Sequence, residues 1–186
     1  MLAQRAIWPD RIRPLRRVEY EALVAQGLLD NSSVELLLGT LVDMSPQGPL
    51  HADAVRHLAE RFIRDLPRTV HTRVQSPLAL SEDSEPEPDI AVVPASDYRR
   101  AHPDRALLIV EVSDTSLDKD RGVKTALYAT AGVPEFWLVN LLDRVVEVHR
   151  QPSAGRYGAI ELTDVGGVIA PAAFPSLQIT VREIFE

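Results

Sequence analysis

Cysteine is absent from all 186 residues. That excludes disulfides, thiolate zinc sites and cysteine nucleophiles together. Long hydrophobic runs are missing too, and no apolar stretch approaches the roughly 18 residues that a membrane span needs. The segment Met1 to Arg17 alternates Arg with Pro, Trp and Leu. It lacks the compact apolar block of a secretory signal, so the expectation is a cytoplasmic protein without a membrane partner. There is no basic excess: 20 Lys and Arg stand against 27 Asp and Glu, a formal net charge of −7. This argues against a broad electrostatic coat for nucleic acid and leaves a grip that is local or supplied by a dimer or a partner. The arginines cluster at 11–17, 56–73 and 99–105. They are candidate phosphate contacts, although solvated helix faces and loops are the simpler reading. Lysine is nearly absent, with Lys119 and Lys124 the two examples among twenty basic residues. Arginine cannot replace lysine where a compact, titratable ammonium is required, so these two positions stand out.

What is present is an ordinary globular balance of 45% hydrophobic and 25% charged residues. One domain over 1–186 is expected, with 1–14 as a loose arm. The spacing predicts a helix over Val18–Leu28, paired strands at 34–38 and 40–44 around Gly39, and a helix over His51–Leu66. Extended segments come next at 70–74 and 77–80, then an acidic loop, Ser81–Pro88. Strands are predicted at 90–93 and 107–112. Thr115 and Asp118 have capping-box spacing for a helix that runs from near Ser116 to Ala131 and stops at Gly132-Val133-Pro134. Strands at 136–139, 145–148, 157–163 and 177–181 and a last helical turn complete an α/β or α+β domain with a mixed sheet.

Three residues carry the chemistry. Asp89 follows Pro88 and opens the run Ile90–Val93. Glu111 lies inside Leu107–Val112, a stretch apolar enough to be a buried strand. Lys124 falls in the next helix. A buried carboxylate is costly unless it is paired or holds a metal. Magnesium keeps several waters and needs only one or two carboxylates, so Asp89 and Glu111, with the Val112 carbonyl, can hold Mg2+ or Mn2+. Lys124 would then position or deprotonate water, or neutralise developing charge. The plainer readings are a loop aspartate, a structural Glu111–arginine bridge and an exposed helix lysine.

Longer pieces point further. They are Glu35-Leu36-Leu37-Leu38-Gly39, Met44-Ser45-Pro46 with His51, Glu87-Pro88-Asp89-Ile90 and Val110-Glu111-Val112-Ser113. Asp120-Arg121 with Lys124 and Tyr128, and Ala131 to Trp137, complete the set. Across Val34–Arg150 the chain resembles the Uma-type restriction endonucleases, a branch of the PD-(D/E)XK nuclease superfamily. The resemblance implies a restriction-endonuclease-like fold, a mixed β-sheet core flanked by helices. It implies an Mg2+-dependent nuclease acting on DNA, and a homodimer by analogy. Pro88-Asp89 stands for the PD and Glu111 for the D/E. Ser113 occupies the usual lysine position, so the lysine role passes to Lys124. Glu35 becomes a candidate extra acidic ligand and His51 a candidate substrate or water contact. Asp120 and Tyr128, four residues either side of Lys124, are expected to orient it. A catalytically silent nuclease-fold module binding nucleic acid or protein, and a hydrolase of small phosphoesters, remain the alternatives.

Overall fold

The structure is a computed structural model, and it describes residues 13–114, Leu117 and 120–186. Most of the expected N-terminal arm lies outside those residues, as do the predicted cap pair Thr115 and Asp118 and Lys119. Helix α1 (Arg17–Ala25) leads into the hairpin β1 (Val34–Leu37) and β2 (Thr40–Asp43). Its two turn residues, Leu38 and Gly39, have φ of 50° and 74°. Positive φ at both positions matches the right-handed twist of the strands. Gly39 is required for a second reason: an added Cβ would lie 2.3 Å from the Cβ of Pro14.

Helix α2 (Pro49–Asp65) begins two residues before the predicted start, with Gly48 as N-cap and Pro49 at its first turn. Proline fits there because its missing N–H would have no partner within the helix. Six strands then form the main sheet: β3 (Val70–Val74), β4 (Ile90–Pro94), β5 (Leu108–Ser113), β6 (Glu135–Asn140), β7 (Val145–Ser153) and β8 (Arg156–Asp164). They lie in sequence order. The pair β5/β6 is parallel and the other neighbours are antiparallel. The parallel pair is joined by helix α3, a π-helical turn at Asp120–Lys124 continued by the α-helix Thr125–Thr130. Gly132 ends it at φ 72°. The Val133 N–H returns to the Tyr128 carbonyl and the Gly132 N–H to Ala129. That is the glycine stop expected from the sequence.

Alternation divides the sheet's side chains between two layers. Ile90, Val92, Val110, Trp137, Val139 and Val148 face α2, where Leu58 and Phe62 complete one core. Ala91, Val93, Ile109, Phe136 and Leu138 face α3, where Tyr128 and Ala129, with Tyr157 of β8, complete the other. Residues 77–80 join no strand, and the Leu78 and Ala79 N–H groups bond to the carbonyls of Pro86 and Pro103. One expectation is corrected near the end of the described chain. The predicted strand 177–181 shrinks to β10 (Ile179–Thr180), paired with an unforeseen β9 (Val168–Ile169). Both are too short for periodicity to reveal. Helix α4 (Arg182–Phe185) closes the described chain.

The acidic loop holds a buried titratable group away from the sheet. Glu85 is 3% exposed, and its Oε2 has no hydrogen-bond partner. Burial pushes its carboxyl up to about 7, helped by Glu21 and Glu87 and opposed by Arg17. A folded-state pKa above the unfolded value means that ionisation opposes folding. Stability from this group is full below about pH 4.5 and falls as pH rises through 7. Glu85→Gln should therefore match wild type in urea unfolding at pH 4 and exceed it by on the order of 2 kcal/mol at pH 8. An equal difference at both pH values would show that Glu85 does not titrate in this range.

Candidate active site

The strand pair β4/β5 builds the floor of the site. Ile90 pairs with Val110, so Asp89, one residue before β4, reaches the end of β5 beside Glu111 and Val112. The Val112 N–H donates to Asp89 Oδ2 at 2.8 Å. Two further groups hold the same carboxylate: His51 Nε2, 3.1 Å from Oδ2, and Gln75 Nε2, 3.4 Å from Oδ1. His51 sits in the first turn of α2, so the helix start and the strand start meet at this carboxylate. Burial, the largest influence, opposes charge on His51. The hydrogen bond and charge of Asp89, then the charges of Asp114 and Asp120, carry its pKa above the ordinary histidine value.

Glu111 projects from β5 toward α3 and is 3% exposed. Its Oε1 accepts a hydrogen bond from Lys124 Nζ at 3.0 Å and another from the Tyr128 hydroxyl at 2.5 Å. Lys124 Nζ also lies 3.3 Å from Oε2 of Glu35, which arrives from β1 and is fully buried. The Glu87 N–H donates to the same Glu35 oxygen at 3.3 Å. Glu35, Glu111 and Lys124 thus converge from three distant stretches of chain. Asp120 and Lys124 bound the π-helical turn, a geometry that recurs at functional sites. The turn's extra residue rotates the rest of α3 by about 100° relative to a regular helix. This corrects one expectation: Tyr128 does not hold Lys124 but donates to Glu111, their common partner.

A pocket of about 70 Å³ opens between these groups and the loop Met44–Gly48, and its walls include Glu35, Glu87, Asp89, Glu111, Asp120 and Lys124. Carboxylates outnumber cations there. Burial pushes the Glu111 carboxyl up to about 8, Lys124 draws it down, and Asp89, Asp120 and Glu35 raise it again. The Lys124 ammonium is desolvated, yet Glu111, Glu35 and Asp120 hold its pKa above the ordinary lysine value. Burial and Glu35 likewise raise Glu87. All five predicted site side chains, Asp89, Glu111, Lys124, Glu35 and His51, line the pocket together with Val112. Glu87, Asp114 and Gln75 were missed as site residues. Glu87 had a signal in its place beside Pro88-Asp89. Gln75 had none, because its position depends on the antiparallel return of β3 and a backbone φ of 45°.

A family model described as "Putative restriction endonuclease", Uma2, matches residues 18–182. The chain belongs to the Uma2 family. No curated protein matches it. Among solved structures, it is similar to a putative nuclease belonging to DUF820 from Anabaena variabilis ATCC 29413, with a TM-score of 0.66 and 17% identity. The likeness covers 82% of this chain and 89% of that one, and at this identity it concerns the fold alone. The Uma2 fold in this chain is therefore the expected mixed sheet with helices on both faces. Among the described residues no helix is long and apolar enough to cross a membrane.

Proposed function

We propose that this Uma2 protein is a metal-dependent endonuclease that hydrolyses phosphodiester bonds in DNA. The observation that carries the reading is the buried Lys124–Glu111 pair set beside Asp89 at the edge of one acidic pocket. Among the described residues, no three His, Asp and Glu side chains are already drawn together as a metal cage. Mg2+ does not require one, because two carboxylates and retained waters suffice. The donor set is oxygen-rich and carries an excess of negative charge, which suits Mg2+ or Mn2+ and would repel an unaccompanied phosphate. Asp89, Glu111 and the Val112 carbonyl would hold the cation. When bound, it lowers the pKa of water and offsets charge on the phosphate.

The chain's own residues supply the rest. Lys124 is held protonated by its carboxylate neighbours, so its role is positive charge for the phosphate rather than proton acceptance. Tyr128 and Lys124 share Glu111 Oε1 and fix its orientation. His51 and the Val112 N–H fix Asp89 in the same way. Glu35 anchors Lys124 from the far side and adds negative charge next to the pocket.

A polymer substrate is supported by shape. The pocket continues into a second hollow that shares Met44–Gln47, Glu87 and Asp89 with it and extends to Ser33 and Gln75. Among the described residues, no arginine lines either hollow. Much of the arginine content is engaged locally: Arg17 with Glu21, Arg56 with Asp53 and Glu60, Arg61 with Asp65 and Glu183, and Arg99 with Asp97. Grip on DNA therefore rests on the cation and on backbone groups around the pocket more than on a basic surface.

The reading is tested by incubating supercoiled plasmid with the protein in Mg2+ or Mn2+. Nicked or linear product is expected, and none in EDTA; cutting that continues in EDTA would refute it. Cation binding has its own readout. Relief of carboxylate repulsion should raise the melting temperature as Mn2+ is added. The rise should be much smaller in Asp89→Ala, and an equal rise in both proteins would place the cation elsewhere.

A further inference from the structure

The site pocket is small. Its volume of about 70 Å³ corresponds to about two waters at ~30 Å³ each, room for a cation and phosphate oxygens but not for a sugar or a base. The hollow beside it measures about 490 Å³. That lies within the roughly 300–1,000 Å³ of clefts that enclose a small organic ligand. The two share the loop Met44–Gln47 and the acidic pair Glu87 and Asp89 as a common wall. Whatever is attached to a phosphate at Asp89 therefore has this hollow as its nearest space.

The chemistry of the walls selects what can fill it. Among the described residues, the lining contains no lysine or arginine, and its charged members are Glu87 and Asp89. A second phosphate is repelled there, whereas a neutral flat ring is not. Met44 and Pro46 supply apolar surface, and a thioether makes favourable contacts with aromatic rings. Gln75 spends its Nε2 on Asp89 Oδ1, which leaves its side-chain carbonyl as an acceptor. Ser33 and Gln47 add further polar groups. Acceptors on an apolar wall suit a ring that carries an exocyclic amine, as adenine and cytosine do. Both walls are fastened by backbone bonds: the Gln75 N–H donates to the Asp89 carbonyl at 3.0 Å, and the Met44 N–H to the Ser33 carbonyl at 2.9 Å.

We propose that this hollow receives the nucleobase flanking the scissile phosphate, so that the substrate is DNA in which that nucleotide is unpaired. A paired base is stacked inside the duplex and enters a protein pocket only when it is extruded. Single strands and locally opened duplex are therefore the preferred forms. Negative supercoiling favours such openings, which keeps a supercoiled plasmid competent as substrate. The position beside the scissile phosphate rests on the nuclease reading, whereas capture of the base does not.

Fluorescence anisotropy tests it with three labelled DNAs: a mixed-sequence strand, that strand annealed to its complement, and a strand of equal length whose sugars carry no bases. Lys124→Arg protein in Mn2+ is used, so that slow cleavage does not obscure binding. The strand should bind at least about ten-fold more tightly than the abasic strand, because the phosphates are the same and the base is lost. It should exceed the duplex by a similar factor of about ten, because pairing withholds the base. Adding Met44→Ala should weaken the base-bearing strand by about threefold and leave the abasic strand unchanged. Equal affinity for the strand and the abasic strand would overturn the proposal. So would duplex bound as tightly as single strand, or a Met44→Ala effect that is the same with and without bases. Base preference in a protein that never nicks plasmid would sink the nuclease reading and keep the base site; nicking without base preference would do the reverse.

Discussion

Glu111→Gln is expected to abolish cleavage, by at least about 10³-fold in kcat, while the protein melts at or above the wild-type temperature when no metal is added. The two halves come from one cause. Glu111 is buried among Asp89, Asp120 and Glu35, and its carboxyl is pushed up to about 8. Folding therefore favours its neutral form, and a permanently neutral isostere removes the repulsion that ionisation brings. The amide oxygen can still accept from Lys124 and Tyr128, so neither donor is orphaned. Glu111→Ala is the less informative change, because it takes from the buried Lys124 ammonium and Tyr128 hydroxyl their shared acceptor and confounds loss of activity with loss of fold. Glutamine keeps the volume but is a far weaker ligand for a hard cation than carboxylate. Trading stability for charge is what a functional site does, and the opposite signs of the two effects are its signature. Plasmid nicking and thermal melts on the same preparations decide it. A variant that cuts, or that melts well below wild type, would mean that Glu111 is a structural anchor.

Lys124→Arg is expected to bind Mn2+ as wild type does and to lose cleavage by about 10²-fold. Sequence bias makes the result informative, since eighteen of twenty basic residues are arginine and a surface lysine would tolerate the exchange. Lys124 is not on the surface. It is 5% exposed and bound to Glu111 and Glu35 at 3.0 and 3.3 Å. A guanidinium preserves the charge but is planar and bulkier, and its fork would pair bidentately with one carboxylate instead of bridging two. The charge then sits away from where the phosphate must be, and small misplacements of positioned groups cost about 10² in rate. The Mn2+-induced rise in melting temperature is the control that separates loss of positioning from loss of the cation site. Unchanged cleavage would make Lys124 a structural counter-ion to Glu35 and Glu111.

Both outcomes depend on residues that no local segment brings together. The carboxylate inside an apolar strand at Glu111, the Pro88-Asp89 strand start and the scarcity of lysine around Lys124 were all readable as sequence. Each is an exception to a composition or period that the rest of the chain obeys. The helix stop at Gly132 was readable for the same reason, because glycine takes the left-handed conformation of a helix end without a side-chain clash. The mixed sheet of an α/β or α+β domain was legible in strands interspersed with helices. These signals are local, and they are recorded in the order of residues.

The structure alone decided how the groups connect. Glu35 reaches Lys124 across 89 positions of sequence, His51 reaches Asp89 across 38, and Tyr128 turned out to serve Glu111 rather than Lys124. The π-helical turn at Asp120–Lys124 has no period that sequence spacing reveals, and it sets where the ammonium lies. The short pair β9/β10 was equally hidden, since two residues carry no periodicity. The physical reason is common to all of these. Periodicity reports which face of an element is buried, whereas hydrogen bonds between side chains depend on distances between elements, and those are settled only when the layers pack.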